Sequence, residues 1–143
     1  NGEYIRKMSD AALIEKLYAF DEAIPKDDTK MMSILPLVKE RMKTLAEFWS
    51  LASFFFEPPK VFERPVNIRL SAIAKSALLD CEWTHDVMEQ GVRNASEKAG
   101  LKARDVFMEL RLAVTGKTVG PPLLESLEIL GKEEAFSRLS FRA

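Results

Sequence analysis

The apolar positions of this chain recur at helical spacing, and no stretch alternates between apolar and polar residues as a strand would. The segment AALIEKLYAF places Leu13, Leu17 and Phe20 on one face, which predicts an amphipathic helix. Ser9 stands just before this helix, where a hydroxyl can accept a bond from a free backbone amide. The pattern therefore predicts an all-α fold, with Ser9 as the first cap.

A proline and a capping signal shape the next helical stretch. The pattern runs from about residue 28 to residue 42, and Pro36 within it predicts a kink or a fresh start. Thr44 and Glu47 have the spacing of a capping box, in which the hydroxyl accepts a bond from the Glu47 amide and the glutamate returns one. The helix that follows is expected to turn Leu45, Phe48, Trp49, Ala52 and Phe55 inward.

The segment EPPKVFERP, residues 57–65, contains three prolines and is the strongest break in the chain. Proline lacks a backbone N–H and clashes with the preceding turn, so a helix cannot continue through this segment. We therefore predict two small helical subdomains, residues 1–60 and residues 61–143, which together form a helical bundle.

The second half of the sequence also contains residues that typically begin or end helices. Asn67 and Thr84 are expected N-caps, Gly100 and Gly116 are expected to close helices, and Pro121 is suited to the first position of a helix. The predicted helices are residues 67–81, 85–99, 103–114, 123–130 and 133–139.

Composition narrows the class of protein without giving a function. Of 143 residues, 47% are hydrophobic and 30% are charged, which is ordinary for a soluble globular chain. The net charge is −1, so any nucleic-acid binding requires a local basic patch. No apolar run approaches the roughly 18–20 residues that span a bilayer.

The single cysteine, Cys81, and the absence of a basic-then-apolar leader predict a cytoplasmic protein. The lack of an initiator Met suggests that the chain is a piece of a longer protein.

Two motifs that resemble functional sites lack residues that those sites require. Gly116-Lys117-Thr118 matches the tail of a phosphate-binding loop, but the glycine required five positions earlier is Arg111. Cys81 and His85 are separated by a helix cap at Thr84, and one cysteine with one histidine cannot complete an ordinary zinc site. We predict no catalytic, cofactor-binding or metal site in this chain.

The basic segment around residue 41 has two interpretations. Lys39, Arg41 and Lys43 could be solvated cations at a helix end, where they offset the helix dipole. They could instead contact RNA, because the planar guanidinium of Arg41 can meet a base edge with two hydrogen bonds. The neighbouring FFF at residues 54–56 could be a stacking platform, but core packing is the favoured interpretation because three consecutive rings on a helix point in different directions.

Three segments taken together resemble one family. The opening NGEYIRKMS, the stretch LVKERMKTLAEFWSLASFFFEPP, and GLKARDVFMELRLAVTGKTVGPPLLESLEILGKEEAFSRL are similar to the helical C-terminal region of bacterial-type glutamyl-tRNA synthetases. The match is in order, with compatible spacing, and extends along essentially the whole chain. The KMSD at residues 7–10 is not that family's catalytic signature, since helix capping explains Ser9.

The resemblance implies an all-helical, anticodon-binding cage belonging to a class I enzyme that charges tRNA with glutamate. It implies that tRNA specific for glutamate is the partner, with no DNA and no membrane, and that the parent enzyme is a cytoplasmic monomer. The ATP and Mg²⁺ of such an enzyme would belong to a catalytic body absent from this chain, which itself would hold no cofactor.

The same resemblance assigns residues to the anticodon. Carried over by position, Arg111, Gly120, Pro121 and Leu123 border the anticodon bases, with Leu123 as an apolar surface for a flipped-out base. Arg41 matches the arginine that recognises the third anticodon base as cytosine in members selective for glutamate tRNA. Possible phosphate contacts are Lys39, Lys43 and Lys117.

This chain departs from the family pattern at one position, and one alternative function stays open. Some members have Thr-Pro-Gly where this chain has Gly120-Pro121-Pro122, so no side chain at residue 120 can contact RNA. The alternative is a helical protein-interaction or adaptor module derived from a synthetase. Salt-dependent tRNA binding would distinguish the two, because phosphate contacts release counterions.

Overall fold

The computed structural model describes residues 2–140, which form nine α-helices and no strand. The all-α prediction is confirmed. The chain divides into two compact units, Asn1–Glu57 and Pro58–Ala143. No helix among the described residues is both long enough and apolar enough to cross a membrane. The helices are α1 Gly2–Lys7, α2 Asp10–Phe20, α3 Asp28–Val38, α4 Glu47–Ala52, α5 Ile68–Leu78, α6 His85–Lys98, α7 Ala103–Thr115, α8 Leu123–Leu130 and α9 Lys132–Leu139.

In the first unit, α2 and α3 pack together and α3 also contacts α4. The Ser9 hydroxyl accepts a bond from the amide of Ala12 at 3.2 Å, which confirms the predicted cap. Leu13 and Leu17 are fully buried, but Phe20 is 55% exposed and lies outside the core. Phe20 is the last residue of α2, where the chain turns away, so helical spacing alone overstated its burial.

Of the two expectations for Pro36, a fresh start is wrong because α3 continues through it to Val38, and a kink stays a prediction. The missing N–H leaves the carbonyl of Met32 without its helical donor. Both Pro36 and Met32 are exposed, so water can bond this carbonyl and the cost is small. The helix then tightens into a 3₁₀ turn over residues 39–41.

Only half of the predicted capping box forms. The Glu47 Oε1 atom accepts bonds from the amides of Thr44 at 2.9 Å and Lys43 at 2.8 Å. The threonine hydroxyl donates to that oxygen at 3.4 Å instead of accepting from the Glu47 amide, which bonds the Thr44 carbonyl. The two amides hold the pKa of the Glu47 carboxyl below its ordinary value. One carboxylate therefore fixes the turn that follows residue 41.

The three consecutive phenylalanines mainly fill the core, as predicted. Phe54 and Phe55 are 6% and 1% exposed, and their ring centroids are 4.1 Å apart. Phe56 is only partly buried and stacks on Trp49, with ring centroids 5.8 Å apart. Leu45 and Trp49 were expected to be core residues but are only half-buried. Leu45 precedes α4, which begins at Glu47, while Trp49 stacks on Phe56.

In the second unit, α5 packs on α6 and α7, α8 contacts α6 and α9, and α9 also packs on α7. The Asn67 side chain caps α5 by accepting from the amide of Leu70 at 3.2 Å, as predicted. Thr84 occupies the N-cap position of α6 but makes no side-chain capping bond. Gly100, with φ of 72°, closes α6 in a Schellman motif, in which the amide of Leu101 bonds the carbonyl of Ser96.

Pro121 does not begin a helix, contrary to prediction, because α8 starts at Leu123 with Pro122 as its N-cap. A residue that precedes proline is disfavoured in helical conformation, and Pro121 precedes Pro122. Its carbonyl is instead bonded by the Arg111 guanidinium at 2.7 Å. The Pro122 carbonyl starts the helix by accepting from the amide and the hydroxyl of Ser126, at 3.1 and 2.6 Å.

The proline-rich segment is held on α7 by a carboxylate and a backbone bond. Glu109, only 5% exposed, accepts two bonds from Arg64 at 2.9 and 2.6 Å and a third from the amide of Asn67 at 2.8 Å. The amide of Glu63 bonds the carbonyl of Gly116 at 2.9 Å. These contacts join the start of the second unit to both the middle and the end of α7.

Replacing Gly116 with alanine should destabilise the protein more than the same change at Gly100. Both glycines have positive φ, 80° and 72°, which costs an alanine about 1–2 kcal/mol. A Cβ at residue 116 would also lie 2.6 Å from the carbonyl oxygen of Val61 and 2.8 Å from Pro59, whereas nothing lies within 4 Å at residue 100. Urea unfolding should show an additional loss of about 1–3 kcal/mol for Gly116→Ala. Equal losses would contradict the close packing of the proline-rich segment.

The Glu109→Gln variant should lose about 1–3 kcal/mol of unfolding free energy at neutral pH, because a charge-assisted pair is removed. Arg64 holds the pKa of Glu109 below 4.5 in the folded protein. The carboxylate therefore stabilises the fold above pH 4.5, and this stability is lost as pH falls through the lower folded pKa. Chemical denaturation of both proteins across this range should show their difference shrinking as pH falls. The exposed Glu128→Gln is the control, and a pH-independent difference would exclude this mechanism.

Candidate nucleic-acid interface

In the first unit, Arg41 lies at the end of the 3₁₀ turn that follows α3, and its side chain is exposed. The backbone that follows Arg41 is held in place by its neighbours. Met42, the next residue, is fully buried, and Glu47 clamps the two amides that follow Met42. An exposed guanidinium on a rigid turn loses less conformational entropy on binding than one on a mobile loop.

The two lysines beside Arg41 differ in their surroundings. The Lys39 ammonium is half-buried, bonds Asp10 Oδ1 at 2.9 Å and also donates to the carbonyl of Met8. A phosphate would have to compete with these partners for Lys39. Lys43 is exposed, while its backbone amide is held by Glu47. The geometry therefore favours Arg41 and Lys43 for contacting a ligand, and Lys39 for holding the turn.

In the second unit, the expected anticodon residues meet at one corner. The Arg111 guanidinium bonds the carbonyl of Pro121 at 2.7 Å and lies 3.4 Å from where a Cβ on Gly120 would stand. Pro121 is buried, and Leu123 is 9% exposed. Leu123 thus offers a base only a narrow apolar edge in this conformation, less than the stacking surface expected from sequence.

The turn that precedes this corner is held by a threonine. The Thr115 hydroxyl donates to the carbonyl of Arg111 at 2.9 Å and accepts from the amide of Lys117 at 3.1 Å. Thr118 donates to Glu63 at 2.7 Å, which ties the turn to the proline-rich segment. The backbone around the half-buried Lys117 is therefore anchored at three points.

A cavity of about 390 Å³ opens beside the corner, and Arg111 and Leu123 both line it. It also contains residues that the sequence interpretation did not select. Arg104, Phe107 and Arg111 are spaced three and four residues apart on α7, so a helical-face analysis of that segment could have found them. The lining residues are His85, Glu89, Arg93, Arg104, Phe107, Met108, Arg111, Leu123, Leu124 and Glu125.

Three carboxylates surround His85, which lines this cavity. Its Nδ1 lies 2.9 Å from Asp86, and its Nε2 lies 3.6 Å from Glu125 and 3.9 Å from Glu89. The Asp86 hydrogen bond, helped by the charges of Glu125, Asp86 and Glu89, raises the pKa of His85 above its ordinary value of 6.5. The imidazole therefore stays cationic to higher pH than an isolated histidine.

Cys81 has the surroundings of a structural thiol. Burial raises the pKa of this thiol, so it remains protonated near neutral pH and is a weak nucleophile. The Lys132 ammonium lies 3.4 Å from the Cys81 carbonyl and lowers that pKa less than burial raises it. Among residues 2–140, no group of three or more His, Cys, Asp or Glu side chains is arranged to hold a metal ion.

Comparison with known proteins identifies relatives along nearly the whole chain. The family model described as an anticodon binding domain matches residues 11–142. The glutamate–tRNA ligase of Solibacter usitatus is 36% identical over 150 residues, covering 97% of this chain and 31% of the relative. That of Roseiflexus castenholzii is 32% identical over 158 residues, with the same coverage of 97% and 31%. The chain therefore spans about 31% of the length of these relatives.

Solved structures give the same result. The crystal structure of a glutamate tRNA ligase from Elizabethkingia meningosepticum, in complex with its amino acid, matches with a TM-score of 0.78 and 26% identity. The match covers 97% of this chain and 30% of that one. The glutamate-tRNA synthetase of Elizabethkingia anophelis matches with a TM-score of 0.77 and 25% identity, covering 96% and 29% of the two chains.

The His85 ring should titrate with a midpoint above 6.5, because its carboxylate neighbours favour the charged form. The chain has one histidine, so its ring proton gives an unambiguous NMR signal across a pH series. Asp86→Asn should move the midpoint down towards 6.5, whereas Glu97→Gln, at the far end of α6, should leave it unchanged. A midpoint at or below 6.5 in the unchanged protein would exclude the network.

Proposed function

This chain belongs to the family of anticodon binding domains, and from that premise we propose that it recognises the anticodon of glutamate-specific tRNA within a glutamate–tRNA ligase. The observation that carries the proposal is the family match over residues 11–142, together with glutamate–tRNA ligases as curated relatives. The resemblance indicated by the sequence motifs is confirmed at the level of the family.

The proposal assigns the chemistry of the enzyme to a part of it outside this chain. Because the chain spans about 31% of its relatives, the activation of glutamate and its transfer to tRNA are assigned to the remaining part. That part would use ATP and Mg²⁺, and the enzyme would act as a monomer in the cytoplasm. The role of this chain is to bind the correct tRNA and hold it in place.

Arg41 is the proposed contact to the third anticodon base. Its guanidinium is exposed and presents a planar set of donors, which suits the ring nitrogen and carbonyl acceptors on the pairing edge of cytosine. Lys43 is a proposed phosphate contact, since a mobile ammonium serves as a point charge. Lys39 would contribute by fixing the turn through Asp10 and Met8.

The Gly120–Leu123 corner is the proposed second contact. Arg111 bonds the Pro121 carbonyl through Nη1 and carries its positive charge at this corner. Gly120 allows RNA to approach the backbone closely because it has no side chain. Leu123 would meet a base at its exposed edge, and Lys117 is the proposed phosphate contact on the preceding turn.

Arg41→Gln should weaken discrimination for cytosine at the third anticodon base by about 1–3 kcal/mol, the cost of losing a two-bond contact to a base edge. The measurement is equilibrium binding of tRNA with cytosine or another base at that position, repeated at several salt concentrations. Arg69→Gln, an exposed arginine on α5, is the matched control and should leave the base preference unchanged.

Two outcomes would contradict the proposal. Equal affinity for unrelated RNAs, or no binding even at low salt, would favour the protein-interaction module instead, because anticodon contacts require both charge and base recognition. Binding that depends on salt but is equally selective in Arg41→Gln would retain tRNA as the partner and exclude Arg41 as the residue that recognises this base.

A further inference from the structure

One carboxylate oxygen holds the two amides that come directly after Met42 in the chain. Oε1 of Glu47 accepts from the amide of Lys43 at 2.8 Å and from the amide of Thr44 at 2.9 Å. The two amides are consecutive, and an oxygen shared by consecutive amides restrains the orientation of both peptide planes. Glu47 thereby restricts the direction in which the chain leaves the turn that carries Arg41.

The peptide plane between Met42 and Lys43 is restrained at both of its ends. Its N–H bonds Glu47, and its carbonyl oxygen lies close to Gly2 of α1, where a Cβ would stand 3.2 Å from that oxygen. The Met42 side chain is fully buried, so the residue between Arg41 and this plane is anchored in the core. A rotation of this plane would therefore break its bond to Glu47.

The Arg41 side chain is exposed, and an exposed arginine retains several rotamers. The position of its backbone is therefore what the protein can fix before RNA binds. Recognition of a base edge requires the donors to stand within about 0.5 Å and 10–20° of the productive geometry. A phosphate contact tolerates more error, because the attraction between charges varies slowly with distance. A displaced Arg41 should thus lose base selectivity before the chain loses affinity.

We propose that Glu47 is a positioning residue for base recognition, which sets Arg41 for the edge of the third anticodon base by holding the two amides after Met42. The inference rests on the proposed function, in which Arg41 contacts that base. It adds a residue that determines specificity without itself contacting RNA. Its effect is on the choice between bases rather than on the overall affinity for tRNA.

The charge of Glu47 is a separate effect that the test has to remove. The two amides hold the pKa of its carboxyl below the ordinary value, so the group is anionic at neutral pH and repels phosphate. Glu47→Gln and Glu47→Ala both remove this charge. The glutamine side chain keeps a carbonyl oxygen that accepts from backbone amides, whereas alanine has no acceptor. Comparison of these two variants therefore isolates the hydrogen bonds.

The test is equilibrium binding of the full chain to glutamate-specific tRNA transcripts with cytosine or guanine at the third anticodon position. The preference for cytosine should be about tenfold lower in Glu47→Ala than in Glu47→Gln, within the range for a lost base-edge contact. Affinity for the guanine transcript should agree between these variants within about twofold, because phosphate contacts provide it. The slope of log affinity against log salt should also agree.

Glu40→Ala is the matched control. Glu40 lies on the same 3₁₀ turn as Arg41, and its exposed carboxylate is 4.0 Å from Arg6 instead of holding the backbone of the turn. This variant removes a charge beside Arg41 and should leave the preference for cytosine unchanged. Thermal unfolding of each variant shows whether the binding was measured on folded protein.

Glu47→Asp provides a second measurement if the alanine variant does not fold. It keeps the charge, but its side chain is one methylene shorter and cannot hold both amides at the distances seen for Glu47. The preference for cytosine should fall in this variant as well. A preference equal to that of the unchanged protein would overturn the inference.

The outcomes separate this inference from the proposed function. If the unchanged protein prefers cytosine and Glu47→Ala keeps that preference, the inference is overturned and the proposed function stands. Equal loss of preference in Glu47→Ala and Glu47→Gln would assign the effect to charge and overturn the inference. Equal loss of affinity for both transcripts in Glu47→Ala would assign Glu47 to folding, with the same result. If the unchanged protein binds neither transcript, the proposed function is overturned too.

Discussion

The carboxylate of Glu109 joins α7 to the proline-rich segment and to the start of α5. It is nearly buried, and it is satisfied by two bonds from Arg64 and one from the Asn67 amide. A buried charge without partners is unfavourable, so these three bonds offset the cost of burying the carboxylate. The proline-rich segment and the start of α5 are thereby fastened to one side of α7. The residues of α7 that line the cavity are Arg104, Phe107, Met108 and Arg111.

The proposed contacts of the two units share one principle, in which a cationic side chain is mounted on backbone fixed by other residues. Arg41 stands on a turn held by Lys39 on one side and by Glu47 on the other. Arg111 stands on a helix whose last turn is closed by Gly116 and Thr115. Recognition of a base edge needs donors held in place, and in both units the rigidity comes from neighbours rather than from the arginine.

Local sequence predicted the helices well because the signals that start and stop a helix lie within a few residues of it. Ser9, Asn67 and Gly100 act as caps and closures as their neighbours indicate. Pro36 does not restart the helix because it lies on the exposed side of α3, and Pro121 does not begin one because Pro122 follows it. The site was partly predictable. The exposed Arg41 follows from the pattern, whereas the pairing of Arg111 with Pro121 spans ten residues and that of Arg64 with Glu109 spans 45. Contacts between residues so far apart in the chain do not appear as a periodic pattern in the sequence.

The distance between Gly120 and the Arg111 guanidinium has a consequence for how this corner can vary. A methyl group at residue 120 would stand 3.4 Å from Arg111 Nη1, which is a close but ordinary contact. A larger side chain would therefore have to point away from the guanidinium if Arg111 is to keep its bond to the Pro121 carbonyl. The rotamer at residue 120 is thus restricted by Arg111, and we expect substitutions at residue 120 to be tolerated when their side chains can point away from it.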